Sequence, residues 1–560
     1  MGTISDKLMR VINTKEDIRQ ALISKGYDVP TSIPFKEYAK MILDLPCNAD
    51  SFPDIEGIVA RYSALGLTNE QMAENPVWKD LTGNGHDLQM KNFTWKGMSG
   101  VGGYGDENHQ TFYKFTLDDY VFIATPPGVK HMNFTFRVTG LQPGNKLTLA
   151  FFGTTNTVYG TWNKDGIYTV DADIVEAGKP TYFYNGYSAT RGEFTIEILP
   201  LYPGALVFDG VDDYGVCDNF PILTKEKGYT VVALRQWIEE KNDSTALVSN
   251  CKNWGQNGAF LFEYNNLRIN FLNVAISFGY VSSVDRRKSP FSYQTSKLYN
   301  GKNIKPGSFI GSNELVVGKG NKNFPTVSNF AIWQLVFLDH DATEEELTKI
   351  KDYFVKTYPW LFPDQAWTVV GKTNEDTDRA TITNITGNGN DLVLSNFGFA
   401  EGSGYNEEGE YAGYLVTDGV DDKITSSSFE MGKDFTIVGD WKFIDNKKSG
   451  IGLVKGSSFY IYNTMIGLDL YINSGSVKNS LDGIKSINAA CSDGRAYDRN
   501  WNEILANTGN VVGSGGMLEV SSSGGRFDRI AFKNLAIYPR ILSKYDCIKA
   551  YNYLQTLKAK

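Results

Sequence analysis

The sequence predicts a mainly β protein in which one β-sandwich plan occurs twice and the first copy is interrupted by a smaller inserted β-sandwich. Three observations predict it. The composition is rich in aromatic residues and glycine, three motifs recur in the same order in both halves, and the spacing between two of them is unequal.

At 560 residues the chain exceeds what one hydrophobic core organises, and a prior of about 150 residues per domain suggests three or four. Hydrophobic residues at 41% against 21% charged mark a globular rather than a disordered chain. The 31 Tyr and 33 Phe suit pleated, half-buried surfaces, and the 56 Gly suit turns between strands. The net charge is −9, with basic residues dispersed among more numerous acids. A sequence-independent nucleic-acid binder needs clustered Lys and Arg to displace counterions from phosphates, so nucleic acid is not an expected partner.

Five cysteines stand at positions 47, 217, 251, 491 and 547, none spaced as a CxxC metal pair, and there are only four histidines. No zinc site and no cofactor are expected. The thiols read as buried and free, as in a protein assembled in a reducing compartment, with a Cys217–Cys251 bridge left open. The opening MGTISDKLMRVINTKEDIRQ has charges every few residues and no apolar core, unlike a secretory signal. No run reaches the ~18 apolar residues of a membrane span. The expectation is folding in a cytoplasm, no membrane insertion, and export by some other route.

The repeat is the strongest signal. Thr82-Gly-Asn-Gly-His-Asp-Leu-Gln-Met-Lys-Asn-Phe93 matches Thr386-Gly-Asn-Gly-Asn-Asp-Leu-Val-Leu-Ser-Asn-Phe397 at eight of twelve positions. Leu206-Val-Phe-Asp-Gly-Val-Asp-Asp213 matches Leu415-Val-Thr-Asp-Gly-Val-Asp-Asp422 at seven of eight. Asn329-Phe-Ala-Ile-Trp333 is matched to Asn534-Leu-Ala-Ile-Tyr538, each ahead of a helical stretch, Glu344–Tyr353 and Tyr545–Leu557. From DGVDD to the last motif the copies span 120 and 116 residues. From TGNG to DGVDD they span 127 and 32, an excess of 95 that places an inserted domain in the first copy. Within it Phe134–Val138, Leu147–Phe151, Gly166–Val170 and Glu193–Leu199 alternate apolar with polar, as half-buried strands do, which suggests a sandwich of seven or so strands.

Residues 1–46 differ from the rest. Leu8, Val11, Ile12, Ile18 and Leu22 recur at helical spacing, with Thr14 as N-cap and Gly26 as stop. A second helix is expected over Pro34–Leu43 with Phe35, Tyr38, Ala39 and Ile42 on its apolar side. Two such short helices cannot build much core alone and need a partner surface. The expected division is a helical anchor over 1–46, a first sandwich over 47–103 and 200–360, the insert over 104–199, and a second sandwich over 361–560.

The chemistry of the motifs points to turns. TGNG lacks the GxxxxGK[ST] of a phosphate loop, whereas Asn-Gly followed by alternating residues reads as a turn leading into a strand. Asp209, Asp212 and Asp213, with Asp418, Asp421 and Asp422 in the second copy, could hold calcium through carboxylate oxygens. Asp-Gly is also a strong turn signal, and the turn is the preferred reading, with metal none and calcium the weaker alternative. No GxSxG or HExxH occurs and no carboxylate pair stands out, so the chain is not expected to be an enzyme. Trp162, Trp254 and Trp501 sit in loop-like contexts and are the candidate glycan-stacking residues, whereas Trp333, Trp360 and Trp441 read as core.

The LVFDGVDD strand, the strand-rich stretch after it and Asn329–Trp333 before a short helix resemble the laminin-G-like, concanavalin A-like lectin superfamily. So does Leu535-Ala-Ile-Tyr-Pro-Arg-Ile-Leu-Ser543 at the end of the second copy. The resemblance covers about two-thirds of the chain and implies jelly-roll sandwiches that bind glycan or protein. Thr417 departs from the pattern where the first copy has Phe208, and the superfamily's catalytic E-x-D-x-x-E is missing from both copies. The segment from Thr14 to Pro30 and from Pro34 to Ile42 resembles those that open tailed-phage structural proteins, particularly in phages of gut bacteria. Together these resemblances imply a virion fibre or decoration protein of head or tail, made in the bacterial host cytoplasm and displayed on the virion surface. Its expected partners are other virion proteins through residues 1–46, further copies of itself, and host or mucosal glycans. A secreted carbohydrate-active enzyme and a bacterial surface adhesin are the alternatives.

Overall fold

The computed structural model describes Ile18 and most of residues 52–559, apart from stretches that include 105–111, 187–193, 251–259, 264–288, 304–311, 473–480 and 506–515. Ile18 is helical and half-buried, while Leu8, Val11, Ile12, Leu22, Phe35 and Tyr38 of the expected anchor lie outside the described residues. The protein is mainly β, in antiparallel sheets, as its alternating segments predict. Three helices have described bounds: α1 (Asn69–Glu74), α2 (Glu344–Thr357) and α3 (Lys544–Gln555). None is long and apolar enough to cross a membrane.

The first copy pairs an eight-stranded with a six-stranded sheet. Around Asn329–Leu338 in the larger sheet lie Thr230–Glu239 on one side and Leu206–Asp209 followed by Gly100–Val101 on the other. The second copy repeats this order, with Ile530–Tyr538 flanked by Thr436–Phe443 and by Tyr414–Val416 followed by Gly404–Asn406. Ile58–Ser63 joins the central strand in the first copy and Gln365–Thr368 does so in the second. Residues 112–198 build two four-stranded sheets of their own, eight strands in place of the seven or so expected.

Register corrects one motif alignment. Leu206 faces Ile332 and Val207 faces Ala331, while Leu415 faces Phe532 and Val416 faces Ala531. Gln334, not Asn329, is therefore the counterpart of Asn534. The cause is a bulge. The register shifts at Leu234/Arg235 opposite this strand and at Asp440/Trp441 in the second copy. One extra residue restarts the in–out alternation, so a similar apolar string recurs five residues apart on the same strand.

Each sandwich has its own inner core. Phe208, Val231, Phe330 and Phe337 belong to the first, and Leu415, Ile437, Trp441 and Ile537 to the second. A third large cluster lies between them. Val232, Leu234 and Trp333 on the outer face of the first large sheet meet Val438, Ala536 and Tyr538 on that of the second, through α2, α3 and the Pro359–Leu361 turn. Helix α2 starts at a capping box, Thr343 with Glu346, and runs one turn beyond expectation to Thr357. Helix α3 starts at Ser543, whose hydroxyl accepts from Asp546 N–H. The α3 face carrying Cys547, Ala550, Tyr551 and Leu554 is buried in the seam. Polar contacts cross it too: Gln236 Nε2 donates to Thr556 Oγ1 at 2.9 Å, Tyr538 Oη to Trp360 O at 2.8 Å, and Asn552 Nδ2 to Pro200 O at 3.2 Å.

Cys217, Cys491 and Cys547 are buried free thiols. The Cys217 thiol donates to Asn219 Oδ1 at 3.0 Å, so the bridge left open to Cys251 is not made. Cys47 and Cys251 lie outside the described residues.

Candidate functional site

The acidic motifs are built as turns. In the first copy Asp209 Oδ1 accepts from Val211 N–H at 2.7 Å, and Asp213 accepts from Asp209 N–H at 3.0 Å and from the Ser99 hydroxyl at 3.1 Å. The second copy repeats this: Asp418 accepts from Val420 N–H at 2.7 Å, and Asp422 from Asp418 N–H at 2.7 Å and Ser403 at 3.0 Å. Gly210 and Gly419 sit at φ of +76° and +73°, which is why glycine follows the aspartate. Asp209, Asp212 and Asp213 each bring an oxygen within 4.8 Å of the others, as do Asp418, Asp421 and Asp422. Burial, reinforced by the Asp209 and Asp212 charges, pushes the Asp213 carboxyl up to about 8, and the same causes push Asp422 to about 6. An acid held protonated near neutrality is spent on closing its own turn.

The asparagines of the TGNG turns instead reach back some two dozen residues along the chain. Asn84 Nδ2 donates to Val59 O at 3.0 Å, and Asn388 Nδ2 to Asp364 O at 2.7 Å, pinning each turn to the first strand of its sandwich. Buried Asp80 accepts from Arg61 N–H at 3.1 Å and Thr82 Oγ1 at 2.8 Å. Its counterpart is Asn384, which accepts from Ala366 N–H at 3.2 Å and Thr386 Oγ1 at 2.9 Å, so the slot calls for an acceptor rather than a charge.

One of the three tryptophan expectations needs correction. Trp501 is 1% exposed, its indole N–H donating to Thr169 Oγ1 of the insert at 3.3 Å and its ring edge-on to Tyr551 of α3 at 5.6 Å. Asp498 does make a turn there, accepting from Asn500 and Asn502 N–H at 2.8 Å, but the turn drives the ring inward. Trp162 is half-buried against Phe136, 4.9 Å away and edge-on, within the insert's core. Trp501 offers no free ring face, Trp162 keeps part of its surface open, and Trp254 lies outside the described residues. Trp333, Trp360 and Trp441 are buried, as their contexts predict.

Two features escaped sequence reading. On the insert's outer face Phe152 is 44% exposed and clusters with Tyr182 at 6.0 Å and Tyr184 at 5.4 Å. The signal was present in Thr181-Tyr-Phe-Tyr-Asn-Gly186: with Phe183 in the core, strand alternation turns Tyr182 and Tyr184 outward. The second is a cleft of about 140 Å³ where α2, the 361–363 stretch, the second TGNG turn and α3 converge. Leu361, Phe362 and Ile385 form apolar wall, and Lys351, Asn388 and Tyr553 bring polar groups. No local motif announces it, because its walls come from both sandwiches.

No family model and no curated protein matches the chain. Among solved structures, Trypanosoma rangeli sialidase is 8% identical with a TM-score of 0.27, over 74% of this chain and 67% of that one. The binding domain of Paraclostridial Mosquitocidal Protein 1 is 12% identical with a TM-score of 0.19, over 33% and 51%. The binding domain of Botulinum Neurotoxin DC in complex with SialylT is 7% identical with a TM-score of 0.19, over 85% and 99%. At these scores the likenesses assign no function.

Proposed function

We propose that this chain is a non-catalytic structural protein of a tailed-phage virion, a head or tail fibre or decoration protein whose sandwiches are displayed for attachment to host or mucosal glycans. The observation that carries the attachment role is the outward cluster Phe152–Tyr182–Tyr184. Ring faces pack against the apolar C–H face of a pyranose at low entropic cost, and the tyrosine hydroxyls add polar contacts. The other large apolar faces are used internally, between the sheets and along the α2–α3 seam. Asp209, Asp213, Asp418 and Asp422 are occupied by backbone N–H groups, which supports a structural role for these recurring acids over catalysis. In this reading residues 1–46 join the chain to other virion proteins and to further copies of itself, and lysis of the host brings it outside. The buried free thiols suit folding in a reducing cytoplasm.

Deletion of residues 1–46 tests the anchor: particle incorporation and oligomer formation are expected to be lost while residues 52–559 keep their melting transition. Incorporation of the truncated chain at wild-type levels would sink the virion reading. A glycan array tests attachment, with signal expected from the full chain and a loss of about five- to twelvefold in Tyr182→Ala, as one ring contact is worth about 1–1.5 kcal/mol. A blank array refutes attachment.

A further inference from the structure

We propose that the cleft between the two sandwiches is a binding site for a carboxylated monosaccharide, the acidic ring of a glycan. The inference rests on the glycan-attachment reading and gives it a second, chemically selective site.

Tyr553 is 6% exposed, lines the cleft, and its hydroxyl makes no hydrogen bond among the described residues. The hydroxyl oxygen is open to the cleft rather than sealed from solvent, so a ligand acceptor can take there the hydrogen bond that water otherwise supplies. Lys351 reaches the same space from the exposed side of α2, 6.0 Å from the Phe291 ring. Phenol O–H and ammonium are both donors and together suit a carboxylate. Asn388, at the mouth, has its Nδ2 held by Asp364 O, which leaves Oδ1 to accept from a sugar hydroxyl. Leu361, Phe362 and Ile385 supply apolar wall for the C–H face of a ring.

Charge and size narrow the ligand further. The chain has 64 acidic against 55 basic residues, yet none of the ten lining residues is acidic and one is a lysine. A cleft of about 140 Å³, close to the ~150 Å³ that encloses a benzene ring, seats part of a single sugar ring, the rest of which stays in solvent. The lining comes from α2 and residues 289–290 on one side, and from the Ile385–Asn388 turn and α3 on the other. The site therefore exists only where both copies are in place.

Titration calorimetry of the full chain with D-glucuronate, with D-glucose as neutral isostere and acetate as bare acid, tests it. Glucuronate is expected to bind with a Kd on the order of 1 mM, and glucose and acetate at least about tenfold more weakly. Tyr553→Phe removes one hydroxyl that holds up no other group, so the fold should stand while glucuronate weakens about tenfold. Lys351→Met should abolish the preference for glucuronate over glucose. Glucose or acetate binding as tightly as glucuronate overturns the proposal, and so does a Tyr553→Phe titration indistinguishable from wild type. A positive array alongside an unchanged Tyr553→Phe titration removes this site alone, whereas a blank array removes the attachment reading.

Discussion

Replacing Trp501 by alanine separates a sugar platform from a structural pin. The ring is 1% exposed and packs 5.6 Å from Tyr551 on α3 and 6.4 Å from Tyr497, and its N–H reaches Thr169 of the insert. Truncating such a side chain costs about 3–5 kcal/mol, because the transfer energy is lost and the seam cannot fully collapse onto the space. For a cooperative unit of about 200 residues that lowers Tm by roughly 6–20 °C. The conservative Trp501→Phe keeps most of the packing and gives up one long hydrogen bond of 3.3 Å, a loss of about 1 kcal/mol. Differential scanning calorimetry with limited proteolysis reads both, and Trp501→Ala should admit cleavage within the insert at lower temperature than wild type. An unchanged melting profile together with lost glycan binding would refute this reasoning and restore the tryptophan as a contact residue.

Two further predictions follow from buried charge. Glu263 accepts from Arg235 Nε at 2.7 Å, Trp237 Nε1 at 2.6 Å and Tyr299 Oη at 2.9 Å, and the Arg235 charge holds its carboxyl below the usual range despite burial. Glu263→Gln leaves a buried guanidinium uncompensated, which should destabilise the chain by about 3–5 kcal/mol in urea unfolding; a loss under about 1 kcal/mol would contradict it. Asp213 has a native pKa near 8 against 3.8 when unfolded, so the stability of its protonated form is present at low pH and lost as pH rises from about 4 to about 8. Asp213→Asn should flatten the pH dependence of Tm across that window, and Asp422→Asn only between about 4 and 6; an unaltered slope in both variants would show that neither acid is held protonated.

The parts legible in the sequence are those whose cause is local. Alternation exposes a strand wherever it runs, and the recurring motifs mark turns because Asp209 and Asp213, and the Thr82 and Thr386 hydroxyls of TGNG, accept from backbone N–H groups two to four residues away. The last motif was misaligned because a bulge makes one strand resemble itself five residues on. The register also shows Arg235 standing where the second copy has Trp441, since these face the equivalent residues Ile332 and Phe532. One slot thus holds an ion pair in one copy and an apolar ring in the other, a difference invisible until the strands are aligned. Trp501 misled because Arg-Asn-Trp-Asn describes its turn correctly and says nothing of Thr169, 332 residues away. The cleft around Tyr553 is illegible for the same reason.

The seam filled by α2 and α3 has an evolutionary consequence. Recombination can exchange the modules of a multi-domain protein, and a module that folds alone can be cut at its own border. Here a breakpoint between the copies would leave each large sheet its own helix but remove the other copy's helix and facing sheet, which complete the cover of its oily side. Inheritance should therefore keep the pair together, and diversity should gather in the insert and the outward loops.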